Sequence, residues 1–131
     1  MTTKQDYRNF KHNTLYRFCW CCGREESERP EWWHAPFGLD RAHIVSTPRN
    51  EDVRVVNLLC SWCHGIRHGT HYAAEKRPPI TLASMLWMKE VHDPANYSPE
   101  FLRRFSIKNL PFPEPPHEIY LREYRARRRA A

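Results

Sequence analysis

The chain has 131 residues, a formal net charge of +6 and a sequence pI near 9.3. This length predicts one compact domain with tails. The 11 prolines and short aliphatic runs predict a small core that a bound metal would help to stabilise. The basic charge favours an anionic partner, with nucleic acid as the first candidate. No apolar run is long enough for a membrane span or a secretory leader, so we expect no membrane partner and a reducing cytoplasm.

The N-terminal part leads into the first of two Cys-x-x-Cys pairs. Residues 1–18 are polar with interspersed aromatic side chains, which predicts an arm laid over the core. The pair that follows is Cys19 with Cys22, because Gly23 lets the backbone curl so that its amides face the sulfurs. With Cys21 as a ligand, two adjacent thiolates would compete for one corner of the site, so we predict that Cys21 is a spare thiol.

Two short strands are predicted beyond the charged loop at 24–36. Residues 37–46 alternate between apolar and polar and end in β-branched side chains, and residues 53–60 are apolar enough to return as a second strand. The segment 47–52 between them is rich in turn-forming residues. Asn57 lies either inside the second strand or in a bend that interrupts it.

The second pair, Cys60 with Cys63, completes four thiolates in a pattern typical of an all-cysteine tetrahedral zinc site. The alternative is four buried or disulfide-bonded cysteines, which a reducing compartment disfavours. Ser61 is predicted to cap a short helix that Gly69 ends. The order of elements is then strand, loop, strand and helix.

Two histidines on this helix are candidates for a second metal site. His64 and His68 are four residues apart, so they share one helix face and can bind the same ion. For His68, a solvated histidine favoured by the helix dipole is the alternative interpretation.

The C-terminal half is predicted to be helical. Thr81 caps a run of apolar residues at helical spacing, and Ser98 with Pro99 begins another helix. Residues 111–116 form an extended proline-rich linker. The last helix ends in arginines that can contact phosphates, with a solvated tail as the alternative: Arg125, Arg127, Arg128 and Arg129. The predicted divisions are an arm (1–18), a core (19–72), a helical extension (73–110) and a linker with a basic tail (111–131).

The central motif resembles the zinc-stapled HNH endonucleases. Their pattern is Cys-x-x-Cys, His-Ile, Asn-Leu and Cys-x-x-Cys-His, and this chain matches it over residues 19–69. The matching elements are Cys19 and Cys22, His43-Ile44, Asn57-Leu58, and Cys60 and Cys63 with His64. The resemblance implies an α+β protein with a ββα-metal core that cuts phosphodiester bonds of DNA. It also implies a structural Zn²⁺ and a catalytic Mg²⁺, Mn²⁺ or other divalent ion.

The resemblance assigns catalytic roles to three residues. His43 would be the general base, which suits an imidazole because its ordinary pKa lies near working pH. His64 would be the first ligand of the catalytic ion. Asn57 would bond to the backbone of the loop between the strands and so fix the direction of His43, whereas an ordinary turn residue is the alternative.

One position departs from the family pattern. The residue before the base histidine is often a metal-binding His or Asp, whereas this chain has Ala42. Asp40 is two residues earlier and projects on the same side of a strand, so its carboxylate is the expected replacement. The alternative is that Asp40 caps a turn or pairs with Arg41 or Arg67. Both arginines are themselves predicted to contact nucleic acid.

A second functional class remains open at this point. The chain could be a non-catalytic, zinc-stabilised module that binds DNA or RNA, in which Ala42 reflects the loss of the catalytic ion. The presence of both His43 and Asn57 favours the nuclease. The resemblance implies a phage or mobile-element setting, with a second copy of the chain or a phage or host protein as further partners.

Overall fold

The computed structural model describes residues 4–33, 36–45, 51–70, 77–105 and 109–129. Within these residues the chain is a small α+β fold in which helices surround one two-stranded antiparallel sheet. The elements are α1 (Lys4–Arg8), α2 (Phe10–Asn13), β1 (Leu39–His43), β2 (Val56–Cys60), α3 (Ser61–His68), α4 (Leu82–His92), α5 (Pro99–Arg103) and α6 (Glu118–Arg129), with 3-10 turns at Val53–Val55 and Pro94–Asn96.

The two strands place the central motif at the middle of the core. Leu39 lies opposite Cys60, and Ala42 lies opposite Asn57. Every residue of β2 is buried, which agrees with its largely apolar sequence, in which Asn57 is the one polar residue. The predicted second strand is shorter than expected because Val53–Val55 forms a 3-10 turn, and Asn57 lies within the strand.

Helix α3 begins at the second cysteine pair. The prediction that Ser61 caps this helix is wrong by one residue, because the cap is Cys60, whose Sγ accepts a hydrogen bond from the amide of Cys63. The Ser61 hydroxyl instead bonds to the backbone of Gly38. Gly69 ends the helix in the left-handed conformation, as predicted.

Helix α4 is fixed to the sheet by a fully buried lysine. The Lys89 ammonium donates to the carbonyls of Val53 and Val56 at 2.6 and 2.8 Å and pairs with Asp93 at 2.8 Å. Burial lowers the pKa of Lys89, and the charge of Asp93 opposes this change. All three donors of the ammonium therefore have acceptors.

We expect Lys89→Met to destabilise the protein by about 3–5 kcal/mol, because it leaves two carbonyls and a carboxylate without their buried partner. Thermal or urea unfolding measures this loss. The matched control is Lys4→Met on the exposed side of α1, which should change the free energy of unfolding by less than about 0.5 kcal/mol. Equal stability of the two variants would contradict the role of Lys89.

The C-terminal segment packs back onto the core. The proline-rich linker lies along the start of α4, where Glu114 N–H bonds to Ala83 C=O and the Ser84 hydroxyl bonds to Pro115 C=O. Helix α6 buries Tyr120 and forms an ion pair from Glu123 to Arg77. Among the described residues, no helix has the length and apolar character needed to cross a bilayer.

Candidate functional site

The four predicted cysteine ligands come together in the core. Their sulfur atoms all lie within 4.8 Å of one another, and all four residues are 0% exposed. The Cys22 and Cys60 sulfurs are 3.8 Å apart. A tetrahedral ion with Zn–S bonds of about 2.3 Å needs sulfurs about 3.8 Å apart, so this spacing fits zinc. The quartet can therefore hold one metal ion, as the cysteine spacing predicted.

The backbone around the quartet supports thiolates. The amides of Cys22 and Cys63 donate to Cys19 Sγ and Cys60 Sγ at 3.5 and 3.4 Å. The guanidinium of Arg24 donates to Cys22 Sγ at 3.6 Å. Arg24 was not predicted from the sequence to belong to this site, although its position just beyond the first cysteine pair could have indicated it. Both features stabilise negative charge on the sulfurs.

Two neighbouring cysteines differ in electrostatics. Burial opposes ionisation of Cys22, but hydrogen bonds with the other three ligands and the charge of Arg24 outweigh it, so the pKa of Cys22 is lowered. Burial raises the pKa of Cys21 to about 11. The pKa values of Cys60 and Cys63 are raised as well, so position rather than pKa distinguishes Cys21: its sulfur is not one of the four that converge, as expected of a spare thiol.

Helix α6 lies directly against the first cysteine pair. Arg127 donates to the Cys22 carbonyl at 2.8 Å, and Arg128 pairs with Glu25 at 3.1 Å. These two guanidiniums thus bond to the rest of the protein. The other two arginines of the predicted basic tail, Arg125 and Arg129, are exposed, and Arg125 lies 3.8 Å from Glu118 within the same helix. Sequence periodicity placed all four in one tail but carried no signal for this packing.

Gly23 is where α6 and the cysteine pair come closest. Its φ is +80°, and a Cβ placed there would lie 3.1 Å from the Cα of Tyr124. Gly69 also has positive φ (+82°), but no atom lies within 4 Å of a Cβ at that position. The two glycines share a backbone conformation and differ in the space around them.

We therefore expect Gly23→Ala to lower the thermal midpoint clearly more than Gly69→Ala. The Gly69 variant carries only the left-handed backbone penalty, about 1 kcal/mol. The Gly23 variant must also displace the α6 backbone. Unfolding curves of the two variants measure the difference, and equal midpoints would show that α6 does not pack on the first cysteine pair.

A second cluster lies between β1 and α3. His64 Nδ1 is 3.0 Å from Asp40 Oδ2, and the rings of His64 and His68 are 4.9 Å apart. Burial, together with the positive charges of His64, Arg67 and His43, lowers the pKa of His68. The structure thus brings together the residues predicted for the catalytic ion. Asp40 bonds to His64 rather than to either arginine considered as its partner.

This cluster is open rather than closed around an ion. Among the described residues, only the cysteine quartet brings three or more ligand atoms within 4.8 Å of one another. The bond from His64 Nδ1 to a carboxylate leaves Nε2 as the ring atom that can bind a metal. Asp40 is therefore placed to orient His64, an arrangement that the sequence prediction of direct ligation did not include.

His43 ends strand β1, and its charge is among those that lower the pKa of His68. By strand alternation, Arg41 and His43 share the face opposite to Asp40. Tyr7 covers that face, since its ring is 6.3 Å from that of His43 and the Arg41 guanidinium lies 4.3 Å from its centre. The approach of the arm to His43 was not predicted from sequence.

Asn57 is a residue of β2, and its side chain is fully buried against α4. Its Nδ2 donates to the Met85 carbonyl at 2.8 Å, a contact that the sequence did not predict. The bonds predicted from Asn57 to the loop between the strands stay a prediction. Asn57 lies within β2 opposite Ala42, and its side chain meets α4. The loop residues 46–50 lie outside the described residues, and within the described part its Oδ1 has no hydrogen-bond partner.

Comparisons with protein-family models, curated proteins and solved structures gave no match.

Proposed function

We propose that this protein is a metal-dependent HNH endonuclease that hydrolyses phosphodiester bonds of DNA. The observation that carries the proposal is the Asp40–His64–His68 cluster in a strand, strand, helix unit joined to the cysteine quartet. His43 ends the first of these strands, and its charge acts on His68. Two metal-type clusters on one short segment are more than a purely structural zinc module requires. The proposal includes a ββα-metal fold for the core.

Each side chain of the second cluster has a chemical task in this proposal. His43 takes a proton from the attacking water as general base. His64, through Nε2, and His68 are the residues that would hold the divalent ion, and Asp40 keeps the His64 ring in place. When bound, the ion supplies positive charge for the oxygens of the phosphate in the transition state.

The donor types indicate which ion suits this site. Imidazole nitrogens suit transition metals, whereas Mg²⁺ prefers oxygen ligands. Two histidines with one carboxylate in support therefore favour Mn²⁺ over Mg²⁺. In the same proposal Arg125 and Arg129, which are exposed on α6, contact the DNA backbone outside the site.

The direct test is cleavage of supercoiled plasmid by the zinc-loaded protein with Mn²⁺, with Mg²⁺ and with neither ion. We expect nicked or linear product with Mn²⁺, less with Mg²⁺ and none without a divalent ion. DNA binding without cleavage under any metal would favour the second candidate, a zinc-stabilised nucleic-acid-binding module. That candidate is supported by the absence of a closed catalytic ligand set among the described residues.

A further inference from the structure

Arg67 lies on the same face of α3 as the two histidines of the proposed site. It is three residues beyond His64 and adjacent to His68, and its charge acts on His68. Its side chain is half-buried, and one guanidinium nitrogen donates to the Ile80 carbonyl at 3.2 Å. This bond holds the guanidinium where its charge acts on His68 and leaves its other N–H groups for a ligand.

Arg67 differs from most other partly buried arginines in its partners. Within the described residues, the following arginines each contact a carboxylate or a cysteine sulfur: Arg24, Arg54, Arg77, Arg127 and Arg128. Arg41 lies over the ring of Tyr7 instead. Arg67 has neither an anionic partner nor an aromatic one in the described part of the chain. Burying part of a cation without such compensation costs folding free energy.

The geometry points to a ligand that supplies the absent negative charge. We propose that Arg67 binds a phosphate of the nucleic-acid substrate at the histidine cluster, next to the bond that is cut. A guanidinium matches two phosphate oxygens with parallel N–H groups, which an ammonium cannot do. This proposal rests on the nuclease function for its catalytic part, but phosphate binding at Arg67 can be measured without turnover.

The test compares Arg67→Met with Arg122→Met in the zinc-loaded protein. Methionine removes the charge and keeps an unbranched apolar stem. Arg122 has a side chain that is 74% exposed and lies on α6, so it is the matched control. We expect inorganic phosphate, compared with chloride at equal ionic strength, to raise the thermal midpoint of the parent and of Arg122→Met. Arg67→Met should lose this shift while keeping its zinc and a cooperative unfolding transition.

Plasmid cleavage separates this proposal from the nuclease function. Arg67→Met is expected to lower kcat/KM by about 100-fold or more, the usual effect of removing one donor to transition-state charge. Arg67→Lys should recover only part of this loss because it keeps the charge and loses the planar fork. Cleavage by Arg67→Met at the rate of Arg122→Met, or an equal phosphate shift in both, overturns the proposal. If the parent does not cut DNA but shows the phosphate shift that depends on Arg67, the anion site is supported and the nuclease function is rejected.

Discussion

Cys60→Ser is expected to lose zinc and to abolish the cooperative unfolding transition. Cys60 is a member of the quartet and also the cap of α3, where its Sγ accepts from Cys63 N–H. Serine is itself a good helix cap, so the substitution preserves that bond and removes only the thiolate. Binding of structural zinc contributes about 10–16 kcal/mol in zinc-finger peptides, which is comparable to the whole stability of a small domain, about 5–15 kcal/mol.

Cys21→Ala is the matched control for this experiment. Cys21 is as buried as the ligands, but burial keeps its pKa high and its sulfur is not one of the four that converge. Zinc content by mass spectrometry and thermal unfolding by circular dichroism should show one zinc per chain and a cooperative transition in Cys21→Ala. A Cys60→Ser protein that keeps its zinc and its melting transition would reject the four-thiolate site.

Local signals in the sequence predicted the elements around the site. Gly69 ends α3, and Thr81 and Ser98 cap α4 and α5, because each of these effects depends on residues within one helical turn. The spacing of the cysteines likewise predicted the quartet. Each Cys-x-x-Cys pair places two sulfurs on one tight turn, so a single contact between the two turns brings all four together. These features are short-range or carried by a repeated motif, which makes them readable from sequence.

The contacts that position the site are long-range and had no local signal. Lys89 bonds to carbonyls that are 33 and 36 residues away, and Arg127 bonds to Cys22 across 105 residues. A lysine in an amphipathic helix predicts an exposed charge, and only the tertiary arrangement of acceptors makes its burial favourable. The same limit explains why the bond from Asn57 to α4 was not predicted.

His43→Ala is expected to lower DNA cleavage by about 100- to 10,000-fold, the usual contribution of a general base. His43 is only partly buried and is outside the cysteine quartet, so zinc content and thermal midpoint should not change. His12→Ala, which removes an exposed histidine on α2, is the control and should cut like the parent. Equal cleavage by all three proteins would reject the assignment of the base.

Two further measurements distinguish a base from a metal ligand. Added imidazole should restore part of the activity of His43→Ala, because a free base can occupy the space of the missing ring, and a purely structural residue would show no such rescue. The Mn²⁺ concentration needed for half-maximal cleavage should stay near that of the parent in His43→Ala and rise in His64→Ala, since His64 is the proposed ligand with Asp40 behind it. A raised Mn²⁺ requirement in His43→Ala without imidazole rescue would show that His43 is a metal ligand and that another residue is the general base.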